Sequence, residues 1–269
     1  AADLPPGVAQ ELGITVVPLY VHFGQEVYRD GVDLSPDELY RRLPTSPQVP
    51  TTSAPGPGVF AEVYQGLLAQ GHQVVSIHIS SKLSATHQAA VTASQEMEGK
   101  VAVVDSQSLS LGLGLLAMAA ARAARDGQDM AQVVASAESA IPRTQMVFLL
   151  DTLEYLQKGG RIGRAQAFLG SVLNVKPILQ IKDGEVHPLE RTRSRAKGIN
   201  RLCEMATSRG TVEALGVIYT TTRQEADEVV GRLAPLIAGN EVSVAQLGAV
   251  LGVHGGPGVL GVARMGAGP

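Results

Sequence analysis

Gln73-Val74-Val75-Ser76-Ile77-His78-Ile79-Ser80-Ser81-Lys82-Leu83-Ser84-Ala85-Thr86 decides the fold. Residues 73–79 form a short apolar, β-branched run of strand length, the polar segment 80–83 breaks it, and a helical pattern starts near Ser84, where the hydroxyl suits a helix N-cap. The unit recurs downstream. Val101–Val104 is a second apolar strand, Asp105-Ser106-Gln107-Ser108 is its loop, and a helix of small residues runs on to about Ala124. Two successive strand–loop–helix units predict parallel strands with helical crossovers, and so an α/β fold. In an open parallel sheet the loops after strand carboxyl ends form the ligand crevice, so both hydroxyl-rich loops are expected to face one site.

Working outward, Val16–Phe23 reads as a strand in a hairpin with a short second strand, punctuated by Gly24 and Asp30-Gly31. Ser35-Pro36-Asp37-Glu38 has the hydroxyl, proline and acid of a capping box and opens a helix that ends before Pro44. Thr45–Gly58 is too rich in Pro, Thr, Ser and Gly for an element, and a helix spans about Val59–Ala69, stopped by Gly71. A change of composition after Pro142 sets the expected boundary between an N-terminal α/β domain, residues 1–143, and a C-terminal α/β domain, residues 144–269. The second holds a strand at Met146–Leu150 and a short helix at Leu153–Lys158. Lys176–Ile181 and Glu185–Glu190 make a hairpin through Asp183-Gly184. A basic helix at Ser194–Ser208, a strand at Val212–Tyr219, a helix at Gln224–Ile237 and strands at Val242–Gln246 and Gly258–Arg264 complete it, giving this half a mixed sheet.

Composition narrows the function. Lys and Arg number 22 against 25 Asp and Glu, a net charge of -3, so no basic field exists to attract nucleic acid. The longest apolar run, Leu111–Ala121, stops at Arg122, short of the roughly 18 residues of a spanning helix. The lone Cys203 has no disulfide partner, and no Arg- or Lys-headed apolar segment opens the sequence, so a cytoplasmic location is expected. With 30 glycines and only 4% aromatics, the core is expected to be aliphatic, with close backbone approaches.

Single motifs are weak here. Gly112-Leu113-Gly114-Leu115-Leu116-Ala117 matches a loose dinucleotide fingerprint but lies too far beyond the strand ending near Asp105, so close helix packing is the better reading. The histidines lack metal-ligand spacing, and no zinc site is expected. There is no P-loop and no G-x-S-x-G elbow.

Five polar, Gly-rich segments in order carry more weight: Thr52-Ser53-Ala54-Pro55, Ser80-Ser81-Lys82-Leu83-Ser84-Ala85-Thr86, Lys158-Gly159-Gly160-Arg161-Ile162-Gly163, Leu173-Asn174-Val175-Lys176-Pro177-Ile178 and Gly252-Val253-His254-Gly255-Gly256-Pro257-Gly258. Together they resemble the DegV family of bacterial fatty-acid-binding proteins, which includes the acyl-carrier subunits of fatty acid kinase. The resemblance covers essentially the whole chain. It starts at Asp3-Leu4-Pro5, after the strand and T-D-S segment with which the family usually begins. Three positions depart from the usual pattern: Ala85 replaces a Gly, Ala54 a Gln, and Gly255 a Thr.

The resemblance implies a two-domain fold with a Rossmann-like parallel sheet in the N-terminal domain. It implies no cofactor, and a long-chain (C16–C18) fatty acid as ligand. Its carboxylate would be held by Thr52, Ser53, Ser84, Arg161 and His254, and a fatty acid kinase catalytic subunit would dock at Arg191. Beside the resemblance stands the chemistry: a fatty acid needs a few convergent donors next to an aliphatic tunnel. A helix N-terminus at Ser84 suits the anion. Phe168–Leu173 and Ile178–Ile181 are the expected tail-lining segments. The basic run Arg191, Arg193, Arg195 and Lys197 could also meet an anionic membrane surface transiently. Two other readings stay open: a serine hydrolase or acyltransferase using Ser84 with His254 as base, and a nucleotide-binding domain using the Gly112 segment.

Overall fold

The computed structural model describes residues 1–97, 99–170, 175–208, 210–237 and 242–268. After the single-turn helix α1 (Val8–Glu11) come strands β1 (Tyr20–Phe23) and β2 (Glu26–Arg29), helix α2 (Pro36–Arg42) and strand β3 (Thr51–Ser53). They are followed by α3 (Pro57–Ala69), β4 (Val74–His78), α4 (Thr86–Ser94), β5 (Val101–Asp105), α5 (Ser110–Arg125) and α6 (Met130–Ala140). The second half runs β6 (Thr144–Leu149), α7 (Glu154–Lys158), β7 (Lys176–Lys182), β8 (Glu185–Thr192), α8 (Arg195–Thr207), β9 (Val212–Tyr219), α9 (Arg223–Leu233), β10 (Ser243–Gln246), α10 (Ala249–Gly255) and β11 (Leu260–Gly266).

The fold is mixed α/β. Strands β4 and β5 pair in parallel, with Val74 beside Val101 and His78 beside Asp105. An antiparallel sheet of order β2-β1-β3 lies apart from them, and a six-stranded sheet of order β10-β9-β11-β6-β7-β8 dominates the second half. Within that sheet only β9 and β10 run parallel. Side chains alternate across its strands, so the inner strands β9, β11, β6 and β7 each serve two cores. Val147, Leu149, Val217 and Val262 face Leu202 of α8 and Val229 of α9, whereas Met146, Phe148, Ile218 and Ala263 face Leu111, Leu115 and Leu116 of α5.

The glycines of α5 do what the packing reading predicts. A methyl on Gly112 would lie 3.3 Å from the Met146 Cβ and 2.2 Å from the Ser108 hydroxyl, so only glycine lets the helix sit this close. The Asp183-Gly184 hairpin turn also forms, with φ of 52° and 77° at its two residues.

Several expected boundaries move. The strand foreseen from Val16 starts only at Tyr20, because Val16 lies 58% exposed and Pro18 interrupts the run. Thr45–Gly58 does contain an element, β3, which the Pro-rich composition hid. Ser35 caps α2 by accepting from the Glu38 N–H, but the Glu38 carboxylate pairs with Arg41, so only half of the capping box forms. The complete capping box belongs to Asp129 and Gln132 at the start of α6, a helix the sequence reading overlooked.

Helix α10 was overlooked as well, and it matters most. Ala249, Val250 and Val253 pack against Leu19, Val21, Leu39 and Tyr40, so a late segment completes the core of the β2-β1-β3 sheet and α2. The Tyr40 hydroxyl donates to the Leu247 carbonyl at 3.0 Å just before the helix. Asp30 accepts from the Ala249 N–H at 2.7 Å, a favourable charge at a helix N-terminus.

Candidate functional site

A cavity of about 300 Å³ opens where the β2-β1-β3 sheet, the β4–α4 loop, the inner face of the six-stranded sheet and α10 meet. That is within the range of small-molecule sites, ~300–1,000 Å³. Its walls include Leu19, Ile79, Leu109, Phe148, Leu150, Leu156, Ile218, Val250, Leu251 and Val259. Its polar lining consists of Thr52, Ser53, Ser84, Arg161 and His254. All five candidate carboxylate-binding residues therefore line one cavity.

Each arrives on a different element. Thr52 lies at the middle of β3 opposite Val21, half-buried between its exposed neighbours Thr51 and Ser53. Its hydroxyl is 2.8 Å from His254 Nε2. His254 sits in the last turn of α10, a helical rather than a loop histidine. Burial, and then the nearby Arg161 charge, lower its pKa to about 4, so the ring is neutral at pH 7. The other ring nitrogen, Nδ1, is buried without a hydrogen-bond partner. A methyl at Gly159 would lie 2.2 Å from it, so that glycine makes room for the imidazole.

Ser53 also lines the cavity, but its hydroxyl is 2.8 Å from His22 Nε2. Ser84 is not the N-cap of α4, a place taken by Ala85. Ser84 lies one residue earlier and its hydroxyl accepts from the Thr86 N–H at 3.3 Å while pairing with the Thr86 hydroxyl at 2.7 Å. The positive end of the helix still lies beside the cavity, because Ser84 and Ala85 both line it. Arg161 is exposed at the rim and reaches the Leu83 carbonyl from Nε at 3.4 Å and the Gly159 carbonyl from Nη1 at 2.9 Å. It thus joins the Gly159-Gly160 turn to the β4–α4 loop.

The hydrogen bonds divide differently from those of a serine hydrolase. Ser84 is paired with Thr86, and His254 with Thr52. The arrangement offers hydroxyls, a neutral imidazole and a guanidinium at one end of an apolar space, which suits an anion joined to a hydrocarbon.

Other expectations move. Only one of the two hydroxyl-rich loops brings a hydroxyl to the cavity. Ser106, Ser108 and Ser110 are buried, Ser106 bonding with Ser108 and Ser110 donating to Asp3 at 2.6 Å, so the second loop contributes Leu109 instead. The described residues of the segments expected to line the tail do not line this cavity. Ile178 faces the opposite core with Ile199 and Leu202, while Leu179 and Ile181 pack in the inner core without lining the cavity. Of 168–173, residues 171–173 lie outside the described residues, as does Asn174 of the fourth motif. The true walls carried a signal in the alternation Met146, Phe148, Leu150, which puts three large side chains on one face.

Arg191 stands elsewhere, exposed, with its guanidinium 4.1 Å from the centre of the Phe168 ring. The basic run is not a uniform charged face. Arg195 is engaged by Glu225 at 2.6 Å and by the Gly258 carbonyl. No described helix is long and apolar enough to cross a membrane.

Fold and cavity define a mixed α/β protein with an apolar interior site closed by polar groups. The sequence pattern described as "Uncharacterised protein, DegV family" matches residues 1–266, and the chain belongs to the DegV family. A DegV domain-containing protein of Streptomyces coelicolor is 40% identical over 265 residues, covering 97% of this chain and 94% of the relative. A Thermus thermophilus DegV family structure described for fatty acid binding superposes with a TM-score of 0.92 at 36% identity, over 99% of this chain and 96% of that one. The DegV fatty acid binding protein of Bacillus subtilis gives 0.87 at 30% identity, over 99% and 96%. A stearic acid-binding protein of Eubacterium ventriosum gives 0.89 at 28% identity, over 98% and 95%.

Proposed function

We propose that this protein binds one long-chain free fatty acid (C16–C18) where residues 1–143 meet residues 144–269, and that it presents the carboxylate to a fatty acid kinase catalytic subunit. The observation that carries this reading is the apolar cavity with its polar groups gathered at one end. Thr52, Ser84, Arg161 and His254 hold the carboxylate, with Ser53 beside them. Arg161 supplies the balancing charge, since the imidazole is neutral. The hydrocarbon supplies most of the affinity: at roughly 0.8 kcal/mol per buried methylene, about fourteen methylenes contribute on the order of 11 kcal/mol before ordering costs. The polar groups then set orientation.

In this reading the protein does no chemistry alone. The partner transfers the terminal phosphoryl group of ATP to a carboxylate oxygen, giving an acyl phosphate and ADP, and Arg191 belongs to the docking face. The setting is the cytoplasm, with transient contact to the membrane surface when lipid is collected or released. The likeness to relatives described as fatty acid binding supports the ligand; the kinase partnership rests on family resemblance.

Native mass spectrometry tests the reading. One added mass of a C16 or C18 fatty acid, released intact on denaturation, is expected, and Ser84→Ala should weaken retention roughly tenfold through loss of a hydrogen bond to a charged group. An apo mass that stays unchanged after incubation with free fatty acids would overturn it.

A further inference from the structure

The floor of the cavity is written in the register of three adjacent strands. Phe148 on β6, Gly261 on β11 and Ile218 on β9 lie side by side in one cross-strand row. Phe148 and Ile218 line the cavity, and the residue between them has no side chain. Two residues towards the polar end, Leu150 and Val259 line it as well. Two residues the other way, the row Met146, Ala263, Gly216 contributes nothing to the lining, because α5 covers it: a methyl on Gly216 would lie 2.7 Å from Leu111 Cδ1. The space therefore ends at the Gly261 row.

The gap over Gly261 is filled by side chains that lean across it. A methyl there would meet Ile218 Cγ1 at 2.8 Å, Met146 Cε at 3.0 Å and Ile218 Cδ1 at 3.1 Å. These are side-chain atoms, not backbone, and the strand carries an ordinary φ at this position, so alanine is compatible with the fold. Met146 is unbranched and adapts readily, whereas Ile218 is stiff and forms part of the wall.

We propose that Gly261 and Ile218 together set the depth of the cavity, and through it the length of the hydrocarbon chain the protein prefers. The inference rests on the fatty-acid reading above and adds the residues that determine specificity within it. Adding a methyl at Gly261 pushes Ile218 into the cavity and shortens it. Truncating Ile218 lengthens it. The two changes compensate, because the new methyl occupies the space that Ile218 vacates.

The test is native mass spectrometry of the full chain against an equimolar ladder of saturated C12–C20 fatty acids, with thermal melting to confirm folding. Gly261→Ala should move the preferred length down by about two carbons and Ile218→Ala up by a similar amount. The double variant should return towards the wild-type profile. Since each methylene is worth about a fourfold change in affinity, a two-carbon shift alters the ratio of neighbouring even-chain complexes roughly fifteenfold. A folded Ile218→Ala protein with the wild-type length profile would overturn the inference while leaving fatty-acid binding intact. A wild-type protein that takes up none of the ladder would overturn the underlying reading.

Discussion

Gly159→Ala is expected to reduce fatty-acid retention about 100-fold while leaving the fold in place. The new methyl would lie 2.2 Å from His254 Nδ1 and 2.9 Å from Cε1, inside any tolerable contact distance. The ring is pinned on its other side by the Thr52 hydroxyl at 2.8 Å, so it can yield only by breaking that bond. Losing two polar contacts to a carboxylate, at about 1.5 kcal/mol each, accounts for the size of the effect. The backbone adds no obstacle, since Gly159 has a right-handed φ of -79° at the end of α7. A fatty-acid titration followed by His254 imidazole NMR would decide it. Unaltered affinity with an unmoved ring signal would show that the close approach is irrelevant.

Acid should unfold the protein through two histidines. Burial lowers the pKa of His254 to about 4, assisted by Arg161, and lowers that of His78 to about 4, assisted by His87 and opposed by Asp105. His78 is held by the Ser76 hydroxyl at 2.7 Å and stands edge-on to Phe60. At pH 7 both rings are neutral in the native protein and mostly neutral in the unfolded chain. As pH falls below 6.5 the unfolded chain takes up protons that the native rings refuse, so stability drops until about pH 4, where the native rings also protonate. The loss is on the order of 3 kcal/mol for each ring across that window. Urea unfolding between pH 7 and 4 should show it, and His78→Gln and His254→Gln should each remove one share of the slope. A slope unchanged in both variants would assign acid sensitivity to other groups.

The sequence was most readable where punctuation is local. The β4–α4 and β5–α5 units, the Asp183-Gly184 hairpin and the extent of α8 to within a residue at each end follow from adjacent residues. The polar groups of the cavity emerged from motif order, because each sits in a Gly- or hydroxyl-rich segment. The apolar walls did not, since a wall and a core share the same alternation until the third dimension decides what covers them. Ile178 and Phe148 are equally apolar, yet they lie on opposite faces of the sheet. Helix α10 escaped because its glycines masked a short apolar run whose partners in β1 and α2 are more than 200 residues away. The departures from the family pattern gain meaning only in space: Ala54, Ala85 and Gly255 all line the cavity, so the variation is gathered around that one space.

The placing of α10 also governs the order in which the molecule can be made. Strands β1, β2 and β3 leave the ribosome early, but the cluster of Val21, Leu39 and Tyr40 stays incomplete until Val250 and Val253 have followed. An early sheet is thus closed by the last described helix. Thr52 therefore waits for His254, and an incomplete chain displays neither the cavity nor its polar end.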